Sequence, residues 1–339
     1  MKKSMILYTS GLSHDRYNAG SKAVRDAIDI ANSIGYGIYY ICELPDISTR
    51  PIQFLLCIIR NFITAVQCFW GASIVIIQHP ILSRTFTFMV GLLKHICGTR
   101  IVLLIHDLYS YRKYGILSQE ELKIIKNANN VISHSVPMSN LLVSNGIIEN
   151  RLKNLFVFDY LSATVNTQRR ELSKKICFAG NLDKSLFLRN VEDCIHGDMT
   201  MYLYGLYSDN IKCSNKIAYK GKFAPNDISQ IEGSWGLVWD GTSCSTCEGS
   251  YGHYMRINAP HKISLYIAAE LPVIIWEEAA LATYIKEHKI GLCVSSLYEL
   301  ESRLSKVTEE EYQLLLSNVK CEARRIRQGQ RLLDLLKSI

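Results

Sequence analysis

The stretch from Gly236 to Trp276 carries the densest set of side chains able to do chemistry. It reads Gly236-Leu237-Val238-Trp239-Asp240-Gly241, then a polar loop, then Ile257-Asn258-Ala259-Pro260-His261-Lys262 ahead of an apolar run. Asn258 and Pro260 are helix-start signals, so Lys262 is expected in a first helical turn, where free N–H groups and the helix dipole attract an anion. A cation there opposes the dipole at a cost of about 0.3–1 kcal/mol. That cost suits a site whose occupant is itself negative; the plainer alternative is a well-capped core helix. A second segment, Phe178-Ala179-Gly180-Asn181-Leu182-Asp183-Lys184-Ser185, reads as a strand, a small-residue turn and a basic group. Gly180 leaves the backbone open to a ligand, and Lys184 can meet a diphosphate as a point charge or be an ordinary turn lysine.

Three further groups invite a functional reading. The loop from Thr9-Ser10-Gly11 to Asn18-Ala19-Gly20-Ser21-Lys22 joins a first strand to a first helix, where small residues let backbone N–H groups approach an anion. Tyr202 and Tyr204 end a strand before Gly205 and could lie beside a nucleotide base or pack in the core. His106-Asp107 follows the apolar run Ile101–Ile105 at the end where α/β sheets place reactive groups. Asp107, or His106, could take the proton of an attacking hydroxyl; a structural His–Asp turn is the alternative. Cys244-x-x-Cys247 lacks a second cysteine pair, and His253 and His261 stand at the wrong spacing for zinc, so it reads as an incidental loop pair. No G-x-G-x-x-G follows the first strand, and no P-loop, nucleophile elbow, H-E-x-x-H or Asp-x-Asp occurs. No metal site is expected.

These residues need strands and helices in alternation to hold them. Short apolar runs do alternate with helical spacing: Met5–Thr9, Gly37–Ile41, Ser73–Gln78, Arg100–Ile105, Asn130–Ser133 and Leu155–Phe158 read as strands, separated by helical patterns. A polar stretch interrupts them. A second alternation follows, with strands at Lys175–Ala179, Thr200–Tyr204, Ile217–Tyr219, Gly236–Trp239, Pro272–Ile275 and Gly291–Val294 and helices that include Asn226–Ile231, Lys262–Ala269 and Ala279–Glu287. Thr308-x-x-Glu311 is a capping box opening a long last helix. The expected fold is α/β, with two parallel, doubly wound sheets whose strand ends face a central cleft. The expected division is an N-terminal acceptor-side domain over 1–160, a linker over 161–175, a nucleotide-sugar-binding domain over 176–320 and a helix end over 321–339.

The 339 residues, 48% of them hydrophobic, are enough for two cores and too apolar for a disordered chain. The nearest approaches to a membrane-spanning run, Pro51–Trp70 and Ile81–Cys97, are broken by Arg60-Asn61 and by Arg84 and Lys94, and the start of the chain is too short a run for a signal peptide. Eleven scattered cysteines, an odd number, read as reduced thiols of a cytoplasmic protein. The net charge of +7 is moderate; its one dense cluster, Lys320, Arg324, Arg325, Arg327 and Arg331, reads as a solvated helix face rather than a nucleic-acid or lipid site.

The Gly-Asn-x-x-Lys turn and the Asn-x-Pro-His-Lys helix followed by Leu271-Pro272-Val273-Ile274, carried on twin α/β domains, resemble the GT-B glycosyltransferases. More narrowly the chain resembles the glucosyltransferase 3 group, which extends the sugar on serine-rich repeat adhesins of streptococci and lactobacilli. That resemblance implies transfer of glucose from UDP-glucose, without a metal or cofactor, to N-acetylglucosamine O-linked to Ser or Thr of such an adhesin. It also implies a homotetramer. On it, Lys184 and Lys262 contact the diphosphate, Tyr204 or Tyr202 lies near the base, and Asn258 stands at the same helix start. Asp240 and Thr242 abut the hexose, while Gly11 and Ser21 belong to a loop that closes over the donor. The Glu-x7-Glu pair common in the wider superfamily is missing: its places, counted back from Leu271, hold Ile257 and Leu265. UDP-N-acetylglucosamine as donor, a non-catalytic scaffold on a transferase fold, and an epimerase of free UDP-sugar are the competing readings.

Overall fold

Apolar runs of strand length, joined by helices with one apolar stripe, can cover both faces of a sheet when the strands run parallel. The computed structural model shows this twice; it describes residues 2–8, 21–81, 83–164, 169–209 and 211–339. The first sheet comprises β1 (Lys2–Tyr8), β2 (Gly37–Ile41), β3 (Ala72–His79), β4 (Arg100–Ile105), β5 (Asn130–Ser133) and β6 (Leu152–Asn154). All pairs are parallel, in the order β2-β1-β3-β4-β5-β6. Its helices are α1 (Lys22–Ser33), α2 (Pro51–Phe69), α3 (Arg84–Cys97), α4 (Tyr109–Tyr114), α5 (Gln119–Asn127) and α6 (Val136–Ser144). The second sheet comprises β7 (Lys175–Ala179), β8 (Thr200–Tyr204), β9 (Ile217–Gly221), β10 (Trp235–Val238), β11 (Val273–Trp276) and β12 (Gly291–Val294), again parallel, in the order β12-β11-β10-β7-β8-β9. With it go α7 (Gly249–Tyr254), α8 (His261–Ala268), α9 (Ala282–Glu287), α10 (Leu300–Leu304) and α11 (Glu309–Arg327), and α12 (Gln330–Ser338) ends the chain. In the second sheet β8 and β9 lie to one side of β7 and β10, β11 and β12 to the other. The winding therefore reverses between β7 and β10, and a crevice at their carboxyl ends is where such sheets bind ligands.

Two units divide the described chain. Residues 2–8, 21–155 and 332–339 form one, and the described residues from 156 to 331 form the other. Residues 156–160, expected in the first domain, belong to the second unit. Phe156 turns the chain with a φ of +62° and stacks on Tyr284, and the Tyr160 N–H bonds the Ile326 carbonyl. The left-handed turn also removes the strand expected over Leu155–Phe158, which is replaced by β6 three residues earlier. The polar stretch before β7 is less of a free linker than its composition suggests. Arg170 is buried and its guanidinium donates to the carbonyls of Ile231, Gly233 and Ala269.

Two other expectations differ. Residues 226–231 form turns instead of a helix, because the Asp227 carboxylate accepts from the Ser229 N–H and hydroxyl in an Asx turn that competes with helical bonding. The basic cluster of α11 and the start of α12 is only partly solvated. Arg327 is bound to the Ala268 carbonyl and to Glu270, and Arg331 bridges Glu322 and Tyr284. Glu270 sits just after α8 with a φ of +58°, a place that favours glycine, and its bond to Arg327 offsets that strain. The capping box is present: the Thr308 hydroxyl accepts from Glu311 N–H while the Glu311 carboxylate accepts from Thr308 N–H. α2 has the length and composition of a membrane-crossing helix, although Asn61, Ala65, Cys68 and Phe69 bury one face of it in the unit.

Gly236 on β10 is where the second core is tightest. Tyr266 of α8 lies across it and takes a hydrogen bond at its hydroxyl from the Ala179 N–H, 2.8 Å. A Cβ on Gly236 would stand 2.2 Å from the root of the Tyr266 ring, which cannot swing aside without losing that bond. Gly236→Ala is expected to cost about 1–3 kcal/mol of stability, read as a lowered midpoint in chemical denaturation.

Candidate functional site

Lys262 meets the second sheet where the winding reverses. It stands in the first turn of α8, and its stem passes over Gly180 so closely that a Cβ there would come within 2.8 Å of Lys262 Cε. The ammonium nitrogen is 4.3 Å from the centre of the Phe178 ring and 3.4 Å from the Trp239 carbonyl oxygen. Its nearest carboxylate oxygen is Asp240 Oδ2, at 3.9 Å. Phe178 and Gly180 end β7, and Trp239 and Asp240 follow β10, so the lysine bridges the two strands that flank the switch point. Burial pushes the Lys262 pKa below its ordinary 10.5, and the charges of Asp240 and Cys247 only partly oppose that. An ammonium held in this way still has donors to spend on an anion.

α8 begins after Pro260 with no side-chain cap, so Asn258 is not the capping residue its position suggested. Among the described residues the buried Asn258 side-chain oxygen has no hydrogen-bond partner, a cost of about 1–3 kcal/mol that a ligand hydroxyl or N–H would remove. Gly205, after β8, crowds the same turn: a Cβ on it would stand 2.1 Å from the Gly180 carbonyl oxygen. That close approach was not legible in the sequence, where a lone glycine after a tyrosine-rich strand carries no spacing signal.

The other expected residues of this unit divide. Asp240 accepts from the Gly241 N–H, and Thr242 is exposed two residues on. Asn181 closes an Asx turn by accepting from the Lys184 N–H, 3.0 Å. Lys184 is exposed and extends over the Tyr251 ring of α7, 5.8 Å from its centre. Its recorded contact is thus with Tyr251, whereas Lys262 is held against Gly180 and Asp240. Tyr204 does not present a ring to a base. It is buried, its hydroxyl donates to the Gln230 carbonyl and accepts from the Glu232 N–H, and its ring packs edge-on against Phe223. Phe223 and the backbone of Gln230 and Glu232 cover it. Tyr202 is half-buried under the Lys220 ammonium.

In the first unit, His106 and Asp107 follow β4 as expected. Asp107 is gripped by Arg112, whose Nε and Nη2 lie 3.0 and 2.9 Å from Asp107 Oδ2, and His106 Nε2 is 2.6 Å from Gln78 Oε1. Beneath them lies a network that sequence reasoning missed. Glu121 is fully buried, 2.9 Å from His79 Nε2, and accepts from the Ser110 hydroxyl and N–H. Burial raises the Glu121 carboxyl, but the bonds from His79 and Ser110 outweigh it and hold it below the usual range. Its only sequence signal was the Ser118-x-x-Glu121 helix start. His134 is pushed down to about 4 by burial and donates to the Ile105 carbonyl, which leaves it neutral and structural. Ser21 is buried at the start of α1 with no hydroxyl partner among the described residues; Gly11 lies outside those residues. Among the described residues no three His, Cys, Asp or Glu side chains group to hold a metal.

Residues 5–155 match the family described as Glucosyltransferase 3-like, N-terminal domain, and residues 176–339 match Glucosyltransferase 3-like, C-terminal domain. The chain belongs to the glucosyltransferase 3-like family. It is 30% identical over 350 residues to beta-1,6-galactofuranosyltransferase WbbI of Escherichia coli K12, covering 98% of each chain. It is 24% identical over 229 residues to glucosyltransferase 3 of Streptococcus gordonii, covering 66% of each. Among solved structures, the lipopolysaccharide outer core galactosyltransferase WaaB superposes with a TM-score of 0.62 at 11% identity, over 100% of this chain and 99% of that one. The fold is thus that of the GT-B glycosyltransferases, and this member of the glucosyltransferase 3-like family is a glycosyltransferase. In its C-terminal family domain the Gly180–Lys262 contact places an ammonium where an anion could meet it.

Gly180→Ala separates this role from stability. The clash falls on the flexible end of a lysine, so unfolding should change by less than about 1 kcal/mol while the displaced ammonium raises the donor KM about tenfold. Because the ammonium must be protonated to hold an anion, donor affinity should weaken as pH rises. The midpoint of that loss should fall below 10.5, and in Lys262→Met the limb should vanish from the KM profile.

Proposed function

We propose that this protein transfers a hexosyl group from a UDP-hexose to a hydroxyl of an acceptor sugar, with Lys262 and the uncapped start of α8 offsetting the charge that grows on the departing UDP. The observation that carries this reading is the Lys262 ammonium, partly buried against Gly180 and answered, among the described residues, by the Asp240 carboxylate at 3.9 Å. Such fixed, partly dehydrated donors stabilise a leaving diphosphate without a metal. Lys184, exposed over Tyr251, is the second phosphate-binding group in this proposal, and Asp240, Thr242 and Asn258 face the sugar. The Asn258 oxygen supplies an acceptor that no group among the described residues uses. The proton of the attacking hydroxyl goes to Asp107, which Arg112 orients, or to His106.

The finer choice is the sugar. The resemblance to glucosyltransferase 3 supports UDP-glucose, with adhesin-linked N-acetylglucosamine as acceptor. The likeness to a beta-1,6-galactofuranosyltransferase over nearly the whole chain supports UDP-galactofuranose and a sugar with a free 6-hydroxyl, and of the two it is the broader match. The protein would act in the cytoplasm as a homo-oligomer.

UDP release measured with UDP-glucose, UDP-galactofuranose and UDP-N-acetylglucosamine, each with and without sugar acceptors, tests the reading. Acceptor-dependent release is expected with one hexose donor, and Asp107→Asn should lower kcat by about 100-fold or more with little change in donor KM. No turnover of any UDP-sugar would return the chain to a scaffold role, and interconversion without acceptor would make it an epimerase.

A further inference from the structure

We propose that the outer face of α2 and α3 is a docking surface for an anionic phospholipid bilayer, on which the protein sits as a peripheral, non-spanning enzyme. The inference is independent of the donor sugar. α2 lines its outward face with Ile52, Leu55, Ile59 and Phe62, spaced as one stripe of a helix, and each is exposed. α3, packed beside it, adds Phe88, Leu92 and Ile96 at successive four-residue steps, with Phe88 74% exposed. Trp70, at the end of α2, is 72% exposed. An apolar surface of this extent on a folded unit marks a place of contact.

Charge identifies the occupant. From Ile47 to His106, sixty residues, there is no Asp or Glu, whereas Arg50, Arg60, Arg84, Lys94 and Arg100 fall in the same stretch. Arg50 and Arg60 are exposed beside the stripe, and Arg84 reaches Glu120 of α5 at the margin. An apolar stripe bordered by arginines, with an exposed tryptophan at its end, has the composition of a helix lying in the headgroup layer of an anionic membrane. A second copy of the chain fits less well, because a two-fold contact would set these arginines against one another with no carboxylate between them. Spanning is also disfavoured. Asn61, on the inner face, exchanges two hydrogen bonds with the Cys42 backbone, 2.9 and 2.7 Å, and ties α2 to the sheet that β2 begins.

Trp70 reports on the proposal, since Trp235, Trp239 and Trp276 are fully buried. Full-length protein is mixed with vesicles of phosphatidylethanolamine and phosphatidylglycerol, or of phosphatidylcholine alone, and read by co-sedimentation and tryptophan emission. The anionic vesicles should sediment the protein and shift its emission to the blue, and added salt should reverse both. The exposed double variant Leu55→Gln/Ile59→Gln should keep donor turnover and weaken vesicle binding about tenfold or more, from the apolar surface it removes. Equal binding to phosphatidylcholine, no binding to either vesicle, or a self-associated species that the double variant dissolves would each overturn it.

Discussion

The arrangement of the second unit depends on an ammonium group being kept where water cannot fully solvate it. Lys262 cannot reach the end of β7 unless residue 180 has no side chain, and it cannot stay charged there unless something negative answers it. Asp240 does so from 3.9 Å, too far for a tight ion pair. The neighbouring elements serve this placement. Tyr266 braces α8 across Gly236 and holds the Ala179 N–H, while Arg170 and Arg327 bind carbonyls at the other end of the same helix. Those two guanidiniums complement the negative end of the helix dipole, and the positive end is left uncapped at Lys262. A helix whose carboxyl end is held by cations keeps the positive end of its dipole at the Lys262 turn, which suits an anionic ligand.

Much of this was legible in the sequence because it is local. The alternation of apolar runs specified two parallel sheets, the Asn258-x-Pro260 start placed Lys262 in a first turn, and Thr308-x-x-Glu311 announced its helix. What escaped depends on tertiary neighbours. Tyr204 has the same local pattern whether its ring is covered or bare; Phe223 and the backbone of Gln230 and Glu232, distant in sequence, decide that it is covered. Arg170 and Arg327 look like surface charges until the carbonyls of Ala268 and Ala269 are brought beside them. Gly205 and Gly180 are far apart in sequence and meet only because their strands are adjacent. Glu121 and His79 form a buried pair across two elements, and neither flanking sequence predicts burial of a carboxylate.

The two units put their polar groups to different uses. The first sheet ends in a fixed network of His79, Gln78, His106, Asp107, Arg112 and Glu121, in which each group is oriented by another. That rigidity suits positioning an acceptor hydroxyl. The second unit keeps the Asn258 oxygen without a partner among the described residues, which suits a hydroxyl-rich ligand. The first unit turns an apolar face outward on α2 and α3, so acceptor handling and surface attachment, as proposed, would be divided from donor chemistry along the chain.

Calorimetric titration of UDP into the wild-type protein and into Lys262→Met tests the central claim most directly, because methionine keeps the apolar stem over Phe178 and Gly180 and removes only the charge. The account predicts that UDP binds the wild type, with proton uptake at alkaline pH as the depressed ammonium is recharged, and that the variant binds at least about tenfold more weakly with no such uptake. Equal affinity in the two proteins, with unchanged proton exchange, would contradict it.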